Sequence, residues 1–513
     1  MASGEQAGDH RVVERALDAA REELGIRRGF PPEVQAAAEE AATRVAVADA
    51  ERVDRRDLPL VTIDPPGSRD LDQALHIQAR SDGGFVVWYA IADVAFFVDR
   101  GGPIEAEAWK RGLTAYGPDR RDPLYPPVLS AGAASLLPDA DRPAILFHFE
   151  VDSAGALAET HVRRALVRSR AQLTYTQVVE HVTGGGRTFA GEPWAEGLMA
   201  MRTFGDLRQR VEAARGGVSV PLVDQHVTDL TARRLGYALE FEAPMASEEW
   251  NEQVSLLTGH AAARMMLDAK VGLVRVMGPP DPDALNAFRR AAEAMGFLWP
   301  PEMSYADFIR SLDLSHPRIT PLLWQARRVN RGADYLAFDG EVPADPLHHA
   351  LAMEYAHATA PLRRLCDRYV LDLLVQLNAG ARPSSEEVAT LLALPPVMDE
   401  AERREAKFER RAVDIAEAWV LRERVGERFA ATVLGTRGGD VEVQIEDPPV
   451  RALAETKGPK LEPGEAVQVI LERVSIPEGR VFFTLTGTGN GGLIDPSSSS
   501  RQPTALGRDQ TGS

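Results

Sequence analysis

The feature that most limits what this chain can fold into is Val61-Thr62-Ile63-Asp64-Pro65-Pro66-Gly67-Ser68-Arg69-Asp70-Leu71-Asp72-Gln73-Ala74-Leu75, which sets three aspartates around a Pro-Pro-Gly turn. Val61 to Ile63 is predicted to be a short buried strand, and the two prolines and the glycine force a turn directly after it. Asp70 and Asp72 stand two positions apart, so an extended backbone points both carboxylates the same way. A turn that folds back brings Asp64 to join them. Converging carboxylates repel one another and resist desolvation unless a cation neutralises them. Oxygen ligands with neither His nor Cys beside them suit Mg²⁺ or Mn²⁺ better than Zn²⁺. The same pattern also fits a solvated acidic loop in which Asp70 caps a helix beginning at Leu71.

Length and charge narrow the setting. The chain has 513 residues, enough for about two to four domains with one large core. A net charge of −18 excludes a lysine-coated binder of polyanions. Contact with nucleic acid would need basic residues concentrated in a groove, and arginines do cluster at 163–170 and 403–411. Alone, such clusters fit a solvated helix or strand face equally well. The single cysteine, Cys366, excludes an intrachain disulfide and a cysteine-rich zinc site, as expected in a reducing cytosol. The first 30 residues carry charges throughout, so no secretory signal is expected. No apolar run approaches the ~20 residues that cross a bilayer. The protein is expected to be soluble and cytoplasmic with no membrane contact, and no protein partner is inferable.

Hydrophobic spacing divides the chain. In 1–58, Val13, Leu17, Ala20 and Leu24, then Val34, Ala38, Ala41 and Val45 after Pro31-Pro32, predict two helices. Residues 59–180 read as β-rich, with Phe85 to Val94 a strand after the Asp82-Gly83-Gly84 turn. Ile145 to Val151 and Thr160 to Leu166 form a hairpin around Ser153-Ala154-Gly155. Residues 190–390 read as mainly helical, and a charged helix is predicted from Met398 to Val425, closed by Gly426. Four short strands separated by turns fill 428–487, as in a small OB-like barrel. The Gly/Ser/Pro-rich tail, 488–513, is expected to be disordered.

Three segments resemble the catalytic domain of the ribonuclease II/ribonuclease R (RNB-type) exoribonuclease family. The aspartate stretch is similar to the family's T-I-D, five residues, D-x-D-D-A. Tyr89-Ala90-Ile91-Ala92-Asp93-Val94, followed by Arg111-Gly112 and Tyr116-Gly117-Pro118-Asp119-Arg120, resembles a second family segment. Tyr355-Ala356-His357-Ala358-Thr359-Ala360-Pro361-Leu362-Arg363-Arg364-Leu365 resembles a third, "YxHfTSPIRRY". Order and separation also fit, over roughly 59–425.

The resemblance implies an α+β fold: a mixed β-sheet catalytic core covered by helices over 59–427, a short helical N-terminal segment over 1–58, and a small C-terminal OB-like barrel over 428–487. It implies metal-dependent 3′→5′ hydrolysis of single-stranded RNA to nucleoside 5′-monophosphates, with Mg²⁺ or Mn²⁺ as cofactor. Asp64, Asp70, Asp72 and Gln73 fall at the metal-ligand positions. Asp70, Asp72 and Arg363 would carry catalysis, Arg363 placing a planar fork on the scissile phosphate. Tyr116 and Tyr175 fall where the family sets aromatic rings near the RNA 3′ end, and stacking there is worth ~1–3 kcal/mol per base. Arg364 is either a phosphate contact or an ion pair.

The sequence departs from the family pattern twice. Gln73 stands where the family has a fourth aspartate, itself a metal ligand. Either its amide oxygen or a water substitutes, or metal affinity collapses and a catalytically weak or silent RNA-binding protein remains. The retained Asp64, Asp70, Asp72 and Arg363 favour activity. Residues 1–58 are also too short and too helical for the two cold-shock domains usual in the family, so weaker selection for single strands and lower processivity are expected.

Overall fold

The computed structural model describes residues 2–218, 220, 224–229, 237–242, 244–314, 316, 318–327, 329, 332–445, 447–456 and 461–488. Apart from its first residue, the tail expected to be disordered lies outside the described residues.

Helix α1 (Ala2–Glu23) buries Val13, Leu17 and Ala20 of the stripe its spacing predicts, with Ala16 beside them and Leu24 half-buried past its end, and α2 (Pro32–Ala42) starts with Pro32 in its first turn. Val45 lies beyond the end of α2 and is 81% exposed, so the apolar spacing runs one turn past the real helix. The central sheet follows: β1 (Arg52–Asp54), β2 (Leu60–Ile63), β3 (Gln73–Ala79) and β4 (Phe85–Ala92). After α3 (Pro103–Arg111) comes a two-strand hairpin, β5 (Ala115–Tyr116) and β6 (Arg121–Asp122), and then β7 (Asp141–Val151) and β8 (Leu157–Leu173). The order is β1-β8-β2-β3-β4-β7, and β8 also pairs with β7, so the hydrogen bonding closes on itself. Strand β8 makes this closure because it is long. Its first part is antiparallel to β7 as the predicted hairpin, Phe147 opposite Val162, while its last residues run parallel to β2, Leu173 opposite Ile63. That parallel end determines where Asp64 emerges.

Helices cover the sheet: α4 (Tyr175–Thr183), α5 (Ala195–Arg215) and, after the hairpin β9 (Asp224–Asp229) and β10 (Tyr237–Glu242), α6 (Ala246–Ala269). The region read as mainly helical also holds a four-strand sheet of β11 (Val271–Met277), β12 (Ala333–Asp339), β13 (Leu347–His348) and β14 (Met353–Glu354). Its first strand, Val271-Gly272-Leu273-Val274, is a continuous apolar run, and such runs do not separate strand from buried helix by periodicity. Between β11 and β12, α7 (Pro282–Ala294), α8 (Tyr305–Arg310) and α9 (Ile319–Ala326) form a separate small core around Phe288, Trp299 and Phe308.

Helix α10 (Leu365–Asn378) leads to α11 (Ser385–Leu421), which begins thirteen residues earlier than the spacing predicts and ends short of Val425. Ser384 and Glu387 form a capping box, and the helix continues through Pro395-Pro396. Two consecutive prolines withdraw two backbone donors, but burial of Leu391, Leu394 and Met398 on both sides holds the turns together. One face of α11 packs Phe408, Ala412, Ile415 and Trp419 against α1. The C-terminal strands β15 (Arg428–Arg437), β16 (Asp440–Ile445), β17 (Val450–Glu455), β18 (Ala466–Ser475) and β19 (Arg480–Thr488) close as a barrel, β15-β16-β17-β19-β18, around Val433, Val443, Val469, Leu471 and Phe483. Among the described residues, no helix is long and apolar enough to cross a membrane.

Candidate active site

Asp64 follows the last residue of β2, and its N–H donates to the Leu173 carbonyl at 3.0 Å. Chain pairing, not side-chain contact, therefore fixes its position. The turn at Gly67, with φ +82°, returns the chain to β3. Leu71 opens no helix: Asp70 and Asp72 lie in an extended approach to β3, which removes the capping alternative.

Asp72 is the most enclosed of the three, 5% exposed. One carboxylate oxygen accepts the Leu362 N–H at 2.7 Å, 290 positions along the chain. The other lies 3.7 Å from Nε of Arg363. Burial pushes the Asp72 carboxyl up to about 8, against the Arg363 charge and the Leu362 N–H. Burial, and Asp70 after it, push Asp64 up to about 7, with Arg363 opposing. Two carboxyls raised this far, chiefly by enclosure, mark a centre that disfavours bare negative charge.

Asp70 is held differently. Arg121 of β6 donates to its carboxylate, and with Asp70 drawn that way, the oxygens of Asp64, Asp70 and Asp72 do not all come within 4.8 Å of one another. The enclosed carboxyls of Asp64 and Asp72 nevertheless suit a divalent cation, because Mg²⁺ is commonly bound through one or two carboxylates plus substrate phosphates.

Gln73, the first residue of β3, donates from Nε2 to the Thr359 carbonyl at 2.5 Å. It therefore ties the aspartate stretch to the segment that presents Leu362 and Arg363, and this orients the amide nitrogen away from any ligand role.

That segment is itself held by Asp367, at the start of α10 and without solvent exposure. Asp367 accepts the Ala360 N–H at 2.7 Å and both arms of Arg364, at 2.9 and 2.7 Å. Burial lowers the Arg364 guanidinium and the Asp367 pair more than reverses this, so it ends raised. Of the two readings of Arg364, the ion pair is the one present, with its fork on Asp367. Its neighbour Arg363 keeps its side chain 50% exposed. His357, Cys366 and Asp367 bring ligand atoms within 4.8 Å of one another, but Arg364 already engages both Asp367 oxygens. Burial, Arg364 and Arg275 hold the His357 imidazole well below its ordinary range. This is a packed hub whose acid is already paired with Arg364.

Tyr116 lies in β5 with 42% exposure. Its hydroxyl is pushed up to about 12 by burial, with Arg363 opposing and Asp70 and Asp72 adding. Tyr175 is the first residue of α4, fixed by the Thr174–Gln177 capping box. It is likewise pushed up to about 12, by burial and then by Asp64. The two tyrosines thus stand in the field of different aspartates of one centre.

Three contributors had no sequence signal: the Leu362 N–H, the Thr359 carbonyl, and Glu405 of α11, pushed up to about 7 by burial, Glu409 and Glu402 and opposed by Arg363. Arg121 was one residue beyond a recognised segment. The N-terminal helix also takes part. Arg21 of α1 is buried, bidentate on Asp119 at 3.0 and 2.7 Å and bonded to Asp122 at 2.6 Å. It clamps the β5–β6 hairpin that carries Tyr116 and Arg121. Arg21→Lys keeps the charge and loses the planar fork. The expected cost is roughly 1–3 kcal/mol of stability, measured by denaturant unfolding.

Residues 52–379 match the RNB domain, and 427–486 match the RNase II-type exonuclease C-terminal S1 domain. The chain is 28% identical over 478 residues to ribonuclease R of Escherichia coli, covering 85% of this chain and 58% of that protein. It is 31% identical over 327 residues to ribonuclease R of Vibrio cholerae, covering 62% and 38%. It thus spans little more than half the length of the first of these relatives. Among solved structures, Mycoplasma genitalium RNase R in complex with ribose-methylated single-stranded RNA superposes with a TM-score of 0.81 at 20% identity, over 92% of this chain and 77% of that one. Yeast Ssd1, described as a pseudonuclease, superposes at 0.65 with 15% identity, over 83% and 54%.

Proposed function

This chain belongs to the RNB-domain family, and from that premise we propose that it is a divalent-metal-dependent 3′→5′ exoribonuclease that hydrolyses single-stranded RNA to nucleoside 5′-monophosphates. The observation that carries the proposal is the meeting of Asp72 with the Leu362 N–H and Arg363 across 290 positions of chain. Buried acid and half-exposed guanidinium side by side suit a phosphodiester under attack by water.

Asp64, Asp70 and Asp72 would hold the metal, Mg²⁺ or Mn²⁺, with the Gln73 amide oxygen as the remaining donor. When bound, the metal supplies an activated water and neutralises phosphoryl charge. Arg363 binds a phosphoryl oxygen through its free N–H groups. Tyr116 and Tyr175 hold the terminal bases by stacking. Leu362 keeps Asp72 in the rotamer that faces Arg363.

A second reading, an RNA-binding protein without hydrolysis, is favoured by one observation: Gln73 is engaged with Thr359 through its nitrogen, where the family pattern has an acid. Purified protein with a 5′-labelled single-stranded RNA, with and without Mg²⁺, separates the two. The hydrolytic reading expects stepwise shortening only with Mg²⁺, and a change of less than about tenfold in Gln73→Asp, a factor worth about 1.4 kcal/mol. Activity in Gln73→Asp alone would establish the silent reading.

A further inference from the structure

Away from the aspartates, a cavity of about 540 Å³ opens between the end of α5, the start of α6 and α8. Its wall carries Glu212, Glu248, Glu249, Glu252 and Gln253. Gln253 is 3% exposed, and its Nε2 donates to Glu212 at 2.7 Å. Its Oε1 is buried with no donor. A buried amide oxygen is unfavourable without an N–H, and this residue lines open space from which one can be supplied.

The cavity is short of positive charge. Arg310, also in the wall, is directed onto the Gly217 carbonyl and Asp307, each at 2.7 Å. Arg208 and Arg215 act on Glu212, which leaves Glu248, Glu249 and Glu252 in excess. Among the described residues, Glu248 and Glu249 accept only neutral donors, the Met245 N–H at 3.0 Å and Gln209 at 3.1 Å. Enclosure, then Glu212 and Glu249, push the Glu252 carboxyl up to about 7.

Two properties select the ligand class. The carboxylates are spread along the wall, and no three of them bring oxygens within 4.8 Å of one another, the span a single ion would need. Ile309, Leu312 and Leu314 add apolar surface to the same cavity, which suits methylene groups and not a hydrated ion. We propose that the cavity binds a small aliphatic polyamine, with its ammonium groups on Glu248, Glu249 and Glu252, one N–H on Gln253 Oε1, and its methylenes along Ile309 and Leu312. Glu248 and Asp64 both act on Tyr175.

Calorimetric titration of the full chain with spermidine, without RNA and at fixed ionic strength, tests this. One saturable site is expected in the wild type, weakened about tenfold in Glu252→Gln, the loss of one charged hydrogen bond. Glu252→Gln changes a carboxyl that no described cation pairs, so its unfolding temperature serves as the check on the fold. Gln253→Leu is expected to weaken the same site. No saturable heat, equal affinity in Glu252→Gln, or complete displacement of spermidine by Mg²⁺ at matched ionic strength would overturn the assignment. So would tighter binding of a lysine-rich peptide than of spermidine.

Discussion

Asp72→Asn is expected to lower Mg²⁺-dependent RNA hydrolysis by on the order of 10²–10³-fold with RNA affinity unchanged. Asparagine keeps an oxygen for the Leu362 N–H and removes the charge beside Arg363, so the fold survives while the proposed metal site loses its most enclosed carboxylate. The same substitution is expected to raise stability in metal-free protein. Burial holds the folded Asp72 carboxyl at about 8, above its unfolded value of about 3.9. Its contribution is therefore fully present below pH ~4 and lost as pH rises towards 8. Asparagine does not titrate, so the variant should melt higher than the wild type at pH 8 in chelator and show a smaller loss between pH 5 and 8. Single-turnover cleavage, filter binding and thermal unfolding at two pH values measure all three. Hydrolysis at the wild-type rate would remove Asp72 from the site.

Asp367→Ala is expected to destabilise the protein by about 3–5 kcal/mol and to depress hydrolysis without touching substrate. The carboxylate is fully buried and takes four donors, one from Ala360, two from Arg364 and the Cys366 thiol at 3.3 Å. Its removal strands a buried guanidinium. It also frees the Thr359–Arg364 turn, which presents Leu362 and Arg363 to Asp72 and whose Thr359 carbonyl holds Gln73. Urea unfolding reads the first effect. Loss of kcat, with cleavage at saturating Mg²⁺ still impaired, reads the second. Asp367→Asn retains the acceptor for Ala360 and should fall between the two. A variant as stable as the wild type would mean that Arg364 finds another partner.

Much of this architecture is legible before any coordinates. The apolar stripes of α1 and α2, the β7–β8 hairpin and four of the five barrel strands follow from periods of 3.6 and 2, and β17 is the strand the spacing does not predict. Boundaries are less so: α11 passes through Pro395-Pro396 because burial on both sides outweighs two lost donors, and no local rule contains that burial. Likewise, β11 is apolar throughout and carries no period to read.

At the centre, the sequence alone determined which groups exist and what they need: acidic oxygens at Asp64, Asp70 and Asp72, an arginine pair at Arg363 and Arg364, and a glutamine where the family pattern has an acid. Only the tertiary structure decided what each one does. It brought Asp72 to Arg363, turned Arg364 onto Asp367, drew Asp70 to Arg121, and joined Gln73 to Thr359. Adjacent arginines are chemically the same in a string of letters. They part company because one faces solvent beside a buried acid and the other is enclosed with one, and enclosure is a property of the folded chain.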